Sequence, residues 1–224
     1  QFAYARRTLI QEEKKAVAEV KVVDEPVTVV VSEKGWVRAR TGHGHETGSF
    51  SFKSGDGLYG TFECRTVDQL LVFGSNGRVY SIAVAALPGG RGDGQPVTTM
   101  MELEAGTQIL YYFAGPLSAC LLLASSSGYG FTALVENMVS RQKGGKAFVT
   151  LADGDTLCCP SHVAGTNGSV ELPDATHVIC ASVGGRILTF DITELNQMAN
   201  GGKGLKLIDL EGNDRLAGAA AYTR

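Results

Sequence analysis

The stretch SRQKGGKA, Ser140 to Ala147, sets Arg141, Lys143 and Lys146 around the adjacent glycines Gly144 and Gly145. A glycine pair lets a backbone turn tightly and come close to a ligand, and flanking cations select an anion, so this residue set suits phosphate. Two other stretches carry the same chemistry: GGRGDGQP, with Arg91, and ANGGKGLK, with Gly201, Gly202, Lys203, Gly204 and Lys206. RARTGHG, with Arg38 and Arg40, is a looser version. Any such site must be local. With 20 Lys and Arg against 23 Asp and Glu the formal net charge is −3, unlike a polycation that coats nucleic acid by bulk charge.

Other chemistries lack their residues. Gly145-Lys146 does not complete a P-loop, because Ala147 stands where Ser or Thr must hold magnesium and Ser140 where the first glycine is needed. His43 and His45 have no carboxylate or cysteine at ligand spacing and read as polar loop residues. No GxSxG elbow is present, and the carboxylates show no catalytic pairing from spacing. The five cysteines include no CxxC, and adjacent Cys158 and Cys159 suit neither a disulfide framework nor a zinc knuckle. We expect no cofactor, a reducing cytoplasmic setting, and no membrane partner, since no apolar run approaches the ~18 residues of a span.

The elements that must position the cations follow from a repeat. Glycine accounts for 29 of 224 residues, nearly double the usual ~7%, which implies many tight turns. VTVVVSEKGWV, LLVFGSNGRVY, LLLASSSGYGF and VICASVGGRIL share one frame: an apolar run, then a turn glycine, at Gly35, Gly77, Gly128 and Gly185. Apolar runs of about five residues ended by Gly, Ser or Asn predict successive strands and hairpins. In the last three units a residue ten beyond the turn glycine is Leu87, Met138 or Leu195, and one seventeen beyond is Gly94, Gly145 or Gly202. The turn glycines lie 42, 51 and 57 residues apart, near the 40 to 50 of four-stranded propeller blades. An all-β array of blades would set the glycine-cation loops at comparable heights on one outer rim. Lys34, Arg78 and Arg186 flank turn glycines and either extend that track or cover hairpin ends. Before Pro26, the spacing of Leu9, Ala16, Val17 and Val20 predicts a short helix or linker over residues 1–25.

EPVTVVVSEKGWVRARTGHG, SGYGF, RQKGGKAFVTL and NGGKGLKLI, in this order, closely resemble the C-terminal domain of the A subunit of bacterial DNA topoisomerase IV (ParC), with the gyrase A domain more distant. The resemblance covers about residues 20–224. It implies a β-pinwheel: propeller-like four-stranded blades that swap strands with their neighbours and bind and bend duplex DNA around the perimeter. The chain would hold four blades over 26–224 and, in RLAGAAAYTR, the first strand of a fifth. Gyrase A domains carry a Gln-Arg-Arg-Gly-Gly-Lys-Gly box. Residues 141–147 keep only Gly144, Gly145 and Lys146 of it, and residues 198–204 keep Gly201, Gly202, Lys203 and Gly204 without preceding cations, which favours topoisomerase IV.

By the same resemblance, the cleaving tyrosine lies in the A-subunit core and the ATP- and magnesium-dependent steps in other parts of the enzyme. This chain would then be non-catalytic, partnered by double-stranded DNA, the A-subunit core and the B subunit, and would steer the choice of DNA crossings. The alternative is a propeller that serves as a protein-interaction platform without DNA binding.

Overall fold

A computed structural model describes residues 22–164, 166–167, 170–171 and 174–224; nearly all of the expected N-terminal helix or linker lies outside them. In chain order, β1 (Pro26–Ser32) and β2 (Trp36–Thr41) form a hairpin, and β3 (Leu58–Arg65) returns to β1. The second hairpin, β4 (Gln69–Gly74) and β5 (Arg78–Ala83), is followed by the short β6 (Gln95–Pro96) and by β7 (Ile109–Gly115). The third, β8 (Cys120–Ala124) and β9 (Tyr129–Leu134), leads through a helical turn α1 (Val135–Met138) to β10 (Lys146–Ala147) and β11 (Ser161–Ala164). A small ladder of β12 (Thr166–Asn167) and β13 (Val170–Glu171) precedes the fourth hairpin, β14 (His177–Ser182) and β15 (Ile187–Asp191). The chain then forms β16 (Leu205–Lys206) and β17 (Leu216–Tyr222).

All four turn glycines occupy the same place. Each donates its N–H to the carbonyl three residues back and holds φ between +77° and +88°, a left-handed conformation that glycine adopts without a Cβ clash. The offset of ten is also structural. Leu87 and Leu195 close the 3-10 turns Val84–Ala86 and Ile192–Glu194, and Met138 ends α1.

The sheets are assembled by exchange. Sheet one has the order β3-β1-β2-β6, sheet two β10-β5-β4-β7, sheet three β11-β8-β9-β16 and sheet four β15-β14-β17. Thus β6, which follows the second hairpin, pairs with β2 of the first, and β10 and β16 likewise pair one sheet back. An apolar residue anchors each swapped strand: Val97, Phe148 and Leu207 are 1%, 2% and 4% exposed. This is the all-β pinwheel expected, with one correction at its end. RLAGAAAYTR does not open a fifth blade: β17 pairs with β14 along its length, because in every unit the strand preceding the next hairpin completes its own sheet.

Apolar runs in the middle sheets bury both faces. Leu70 and Val72 pack with Val29 and Val31, while the intervening Leu71 and Phe73 pack with Leu121 and Leu123. Leu122 and Ala124 face a third core with Val178 and Cys180. Continuous apolar strands rather than alternating ones are the signature of such two-sided burial. Each large side chain so buried contributes about 1.5–3 kcal/mol. Sheet four differs, since β14 alternates buried and half-buried residues and Ile187 and Val183 of its hairpin are exposed. On the outer face of sheet one, loop 42–57 takes a neighbour's place: Thr28 Oγ1 donates to the Gly42 carbonyl at 2.7 Å, and Lys53 Nζ lies 3.4 Å from the Trp36 ring centroid.

Two kinds of polar group sit inside. Asp155, with its side chain 2% exposed, accepts hydrogen bonds from Ser126 Oγ at 2.8 Å and Ser127 Oγ at 2.6 Å and lies 3.6 Å from Arg215 Nη1, tying the third turn to the start of β17. All five cysteines carry free thiols; burial pushes those of Cys158 and Cys180 up to about 11 and that of Cys64 to about 12, so they pack as neutral groups.

Candidate nucleic-acid interface

The two edges of each sheet face different ways. β3 packs against β7 and β11 against β17, and Phe62, Phe113 and His162 form a row with ring centroids 6.2 Å apart at each step. Strands that meet in this way mark the side on which the sheets converge. The opposite edges, β6, β10 and β16, therefore fan outward. Immediately before these three strands come the glycine-cation loops 88–94, 139–145 and 196–204, so all three reach the same rim.

Their glycines are fixed by packing as well as by turning. Gly145 has φ +66°, and a Cβ there would come within 2.7 Å of the Val79 carbonyl oxygen. Gly94 and Gly204 meet the corresponding carbonyls of Val37 and Gly130. The structural counterpart of Gly94 and Gly145 is thus Gly204, not Gly202, because the loop after the fourth hairpin is two residues longer. Gly202 instead bridges to Val149. Gly201, at φ +68°, lies against the Phe148 carbonyl. Gly144, like Gly89 and Gly92, is not held in this way and has open space where its Cβ would be.

Loop 139–145 is held at several points. Ser140 and Ser81 exchange two hydrogen bonds of 2.9 Å, the Glu102 N–H donates to the Lys143 carbonyl at 2.9 Å, and Arg78 donates from Nε to Gly144 O at 2.9 Å and from Nη2 to Gly145 O at 3.1 Å. Arg141 and Lys143 are exposed, as is Arg91 in loop 88–94, and their side chains make no hydrogen bond or ion pair among the described residues. Arg40, with Nη1 3.3 Å from Ser49 Oγ, lines an open cleft of about 480 Å³ with Thr41, Gly90 and Arg91. These four cations are among those that the rim leaves open to solvent or to a cleft.

The remaining cations of the sequence set are differently employed. Arg38 is 4% exposed; its guanidinium donates to the carbonyls of Gly92 and Ser51 and stacks over Phe50 and Phe52, so it ties loops together. RARTGHG lies along β2 and the loop after it, and is not a counterpart of the three swapped-strand loops. Lys146 donates from Nζ to Asn137 O at 2.9 Å and lies 5.5 Å from the Phe148 ring centroid. Arg78 turns inward, with Glu104 Oε1 3.5 Å from Nη1. Lys203 stands 3.9 Å from the Tyr129 ring centroid. Lys34 sits in the first turn, where its N–H donates to Asp56; burial raises that carboxyl, but hydrogen bonds from Ser32, Gly57 and Lys34 outweigh it and hold it below the usual value.

Acids answer the cations nearest sheet four. Arg186 Nη2 is 2.7 Å from Glu211, and Lys206 Nζ is 2.7 Å from Asp209, whose carboxyl the lysine holds below its ordinary range. Uncommitted positive charge is accordingly concentrated at sheets one and two. Spacing alone missed Ser81 and Lys53, which no motif marks, whereas Tyr129 was legible from the position after the turn glycine, held also by Trp36, Arg78 and Arg186.

His43 and His45 each set Nε2 against a backbone carbonyl, of Cys64 and Thr41. Among the described residues no three His, Cys, Asp or Glu side chains converge to hold a metal, and no helix is long and apolar enough to cross a membrane.

Comparison with known proteins converges on one domain. A family model described as DNA gyrase C-terminal domain, beta-propeller, matches residues 68–105 and 176–222. The A subunit of DNA topoisomerase 4 from Neisseria gonorrhoeae is 41% identical over 98% of this chain and 28% of its own length. Its counterpart from Escherichia coli K12 is 32% identical over 95% of this chain and 28% of its own. This chain therefore spans little more than a quarter of those relatives. The solved E. coli ParC C-terminal domain superposes with a TM-score of 0.78 at 30% identity, covering 89% of this chain and 80% of that one.

Proposed function

Because the chain belongs to the family of the ParC C-terminal domain, the end domain of the topoisomerase IV A subunit, we propose that it is that enzyme's non-catalytic duplex-binding and duplex-bending element. Residues 1–25 would link it to the A-subunit core, residues 26–224 forming the pinwheel. Cleavage and ATP hydrolysis would then belong to the core and to the B subunit, with no cofactor needed in this chain.

One observation carries the reading: three glycine-cation loops reach the outward edges of consecutive sheets, and Arg91, Arg141 and Lys143 stand there exposed and, among the described residues, unpaired. A rigid duplex that follows several points on an edge that fans outward must curve. Bending 20–30 base pairs by 40–90° costs about 1–6 kcal/mol, which phosphate contacts along the rim would offset. Among the described residues no recognition helix stands on this edge, and Arg91, Arg141 and Lys143 are carried by loops, so the contacts favour backbone and curvature over base sequence. An enzyme core joined to such an element would receive bent or crossing segments preferentially.

Titration of a random-sequence duplex at several salt concentrations tests the proposal. Affinity should fall steeply as salt rises, because bound cations displace condensed counterions. Absent or salt-insensitive binding would instead support the platform reading, in which the rim cations serve only solubility.

A further inference from the structure

The residue after the turn glycine plays one part in three sheets. In sheet one it is Trp36, whose ring lies under Lys53. In sheet three it is Tyr129, whose ring lies under Lys203. In sheet two it is Arg78, and there the contact is with backbone: its planar fork takes the successive carbonyls of Gly144 and Gly145, 66 and 67 residues away in sequence. Each is a rigid hairpin side chain that holds a loop brought from elsewhere.

For Arg78 the consequence reaches the rim. Ser81 anchors loop 139–145 at its start, Glu102 at Lys143, and Arg78 at its end, while the side chains of Arg141 and Lys143 stay exposed. Its own charge is directed inward, against Glu104 and two carbonyls, with the side chain only 26% exposed. We infer that Arg78 is a positioning residue that acts on the duplex through this loop, fixing the placement of Arg141 and Lys143, and does not itself neutralise a phosphate. The inference rests on the duplex-binding reading. A loop already ordered loses less conformational freedom on binding. Lysine keeps the charge of arginine but cannot reproduce a fork donating to two carbonyls.

The test uses Arg78→Lys and Arg78→Met in the 224-residue chain, with Ser81→Ala as a variant that loosens the loop without touching charge. Backbone amide exchange across residues 140–147 should quicken about tenfold or more in all three, with β4 unchanged. Duplex affinity should fall about tenfold in each, while the slope of log affinity against log salt stays within about 0.3 of the parent. A direct phosphate contact predicts otherwise: Arg78→Lys would keep parental affinity and Arg78→Met would lose about 0.9 of slope, and either result overturns the inference. So does unchanged loop exchange beside normal parental binding, which spares the duplex-binding reading. A parent without salt-dependent binding overturns that reading and this inference together. Should the Arg78 variants fail to fold, Ser81→Ala still overturns the inference if exchange across 140–147 quickens while duplex affinity stays at the parental value.

Discussion

Replacing Arg141 and Lys143 together by alanine removes two charges from the rim without breaking any hydrogen bond that holds the fold. Each phosphate that a cation neutralises adds about 0.9 to the slope of log affinity against log salt, so the pair should contribute about 1.8. Over a fourfold rise in salt, from about 50 to about 200 mM, the variant should lose about twelvefold less affinity than the parent, having started from a weaker value. Anisotropy of a labelled duplex of about 30 base pairs, titrated at four salt concentrations, reads both numbers. The loss should be the same for duplexes of unrelated sequence, as phosphate contacts require. Stability should move by about 0.5 kcal/mol or less, because both side chains are solvated. Lys146→Ala is the internal control: its ammonium already bonds Asn137 O, so its slope should stay near that of the parent. The reasoning fails if the double variant keeps the parental slope and affinity, or if Lys146→Ala alone lowers the slope as much.

Three further outcomes follow from packing and burial. Gly145→Ala should destabilise the domain by about 1–3 kcal/mol in a denaturant melt, since its φ of +66° and the nearby Val79 carbonyl leave no place for a methyl, whereas Gly144→Ala should change little. Leu71→Ala, at a site buried between sheets two and three, should lose about 2–5 kcal/mol, and Ile179→Ala, six residues before its turn glycine like Leu71 but half-exposed on sheet four, clearly less. Burial raises the pKa of Asp155, but hydrogen bonds from Ser127, Ser126 and the Ala152 N–H outweigh it and set the pKa below its unfolded value. Its stabilising contribution is therefore full above the usual carboxylate range and lost as pH falls through the folded value. Asp155→Asn should flatten that acid limb of a stability–pH curve and lower stability at neutral pH by about 1–3 kcal/mol.

The hairpins were legible in the sequence because each needs a residue with positive φ at one point, and glycine marks it at Gly35, Gly77, Gly128 and Gly185. Two-sided burial was legible too, in runs such as Leu70–Phe73 that do not alternate. Spacing could not show which sheet receives a short strand. Gly94 lies seventeen residues beyond Gly77, yet the strand it introduces pairs with β2 of the preceding hairpin; only the resemblance implied such swapping. The same blindness led to Gly202 in place of Gly204, and gave the final strand to a blade that does not contain it. Among the site residues, exposed Arg91, Arg141 and Lys143 stand where the pattern set them. Arg38 and Lys146 are engaged within the fold, by carbonyls of Gly92, Ser51 and Asn137, groups that no motif records.

Backward lending of strands also limits how such a protein can be cut, shortened or enlarged. No boundary between hairpins is a clean seam. A chain severed between β7 and β8 would keep β4, β5 and β7 but lose β10, leaving the edge of β5 bare, as the edge of β15 is among the described residues. A duplicated unit inserted at that boundary would have to supply the edge strand for the sheet before it and receive one from the unit after it. Units of this architecture can therefore be exchanged only if each newcomer's loop carries a glycine that fits against the preceding hairpin and an apolar anchor like Val97, Phe148 or Leu207. The rim cations travel with that same loop, so a change in the number of sheets also redraws the charge pattern along the edge.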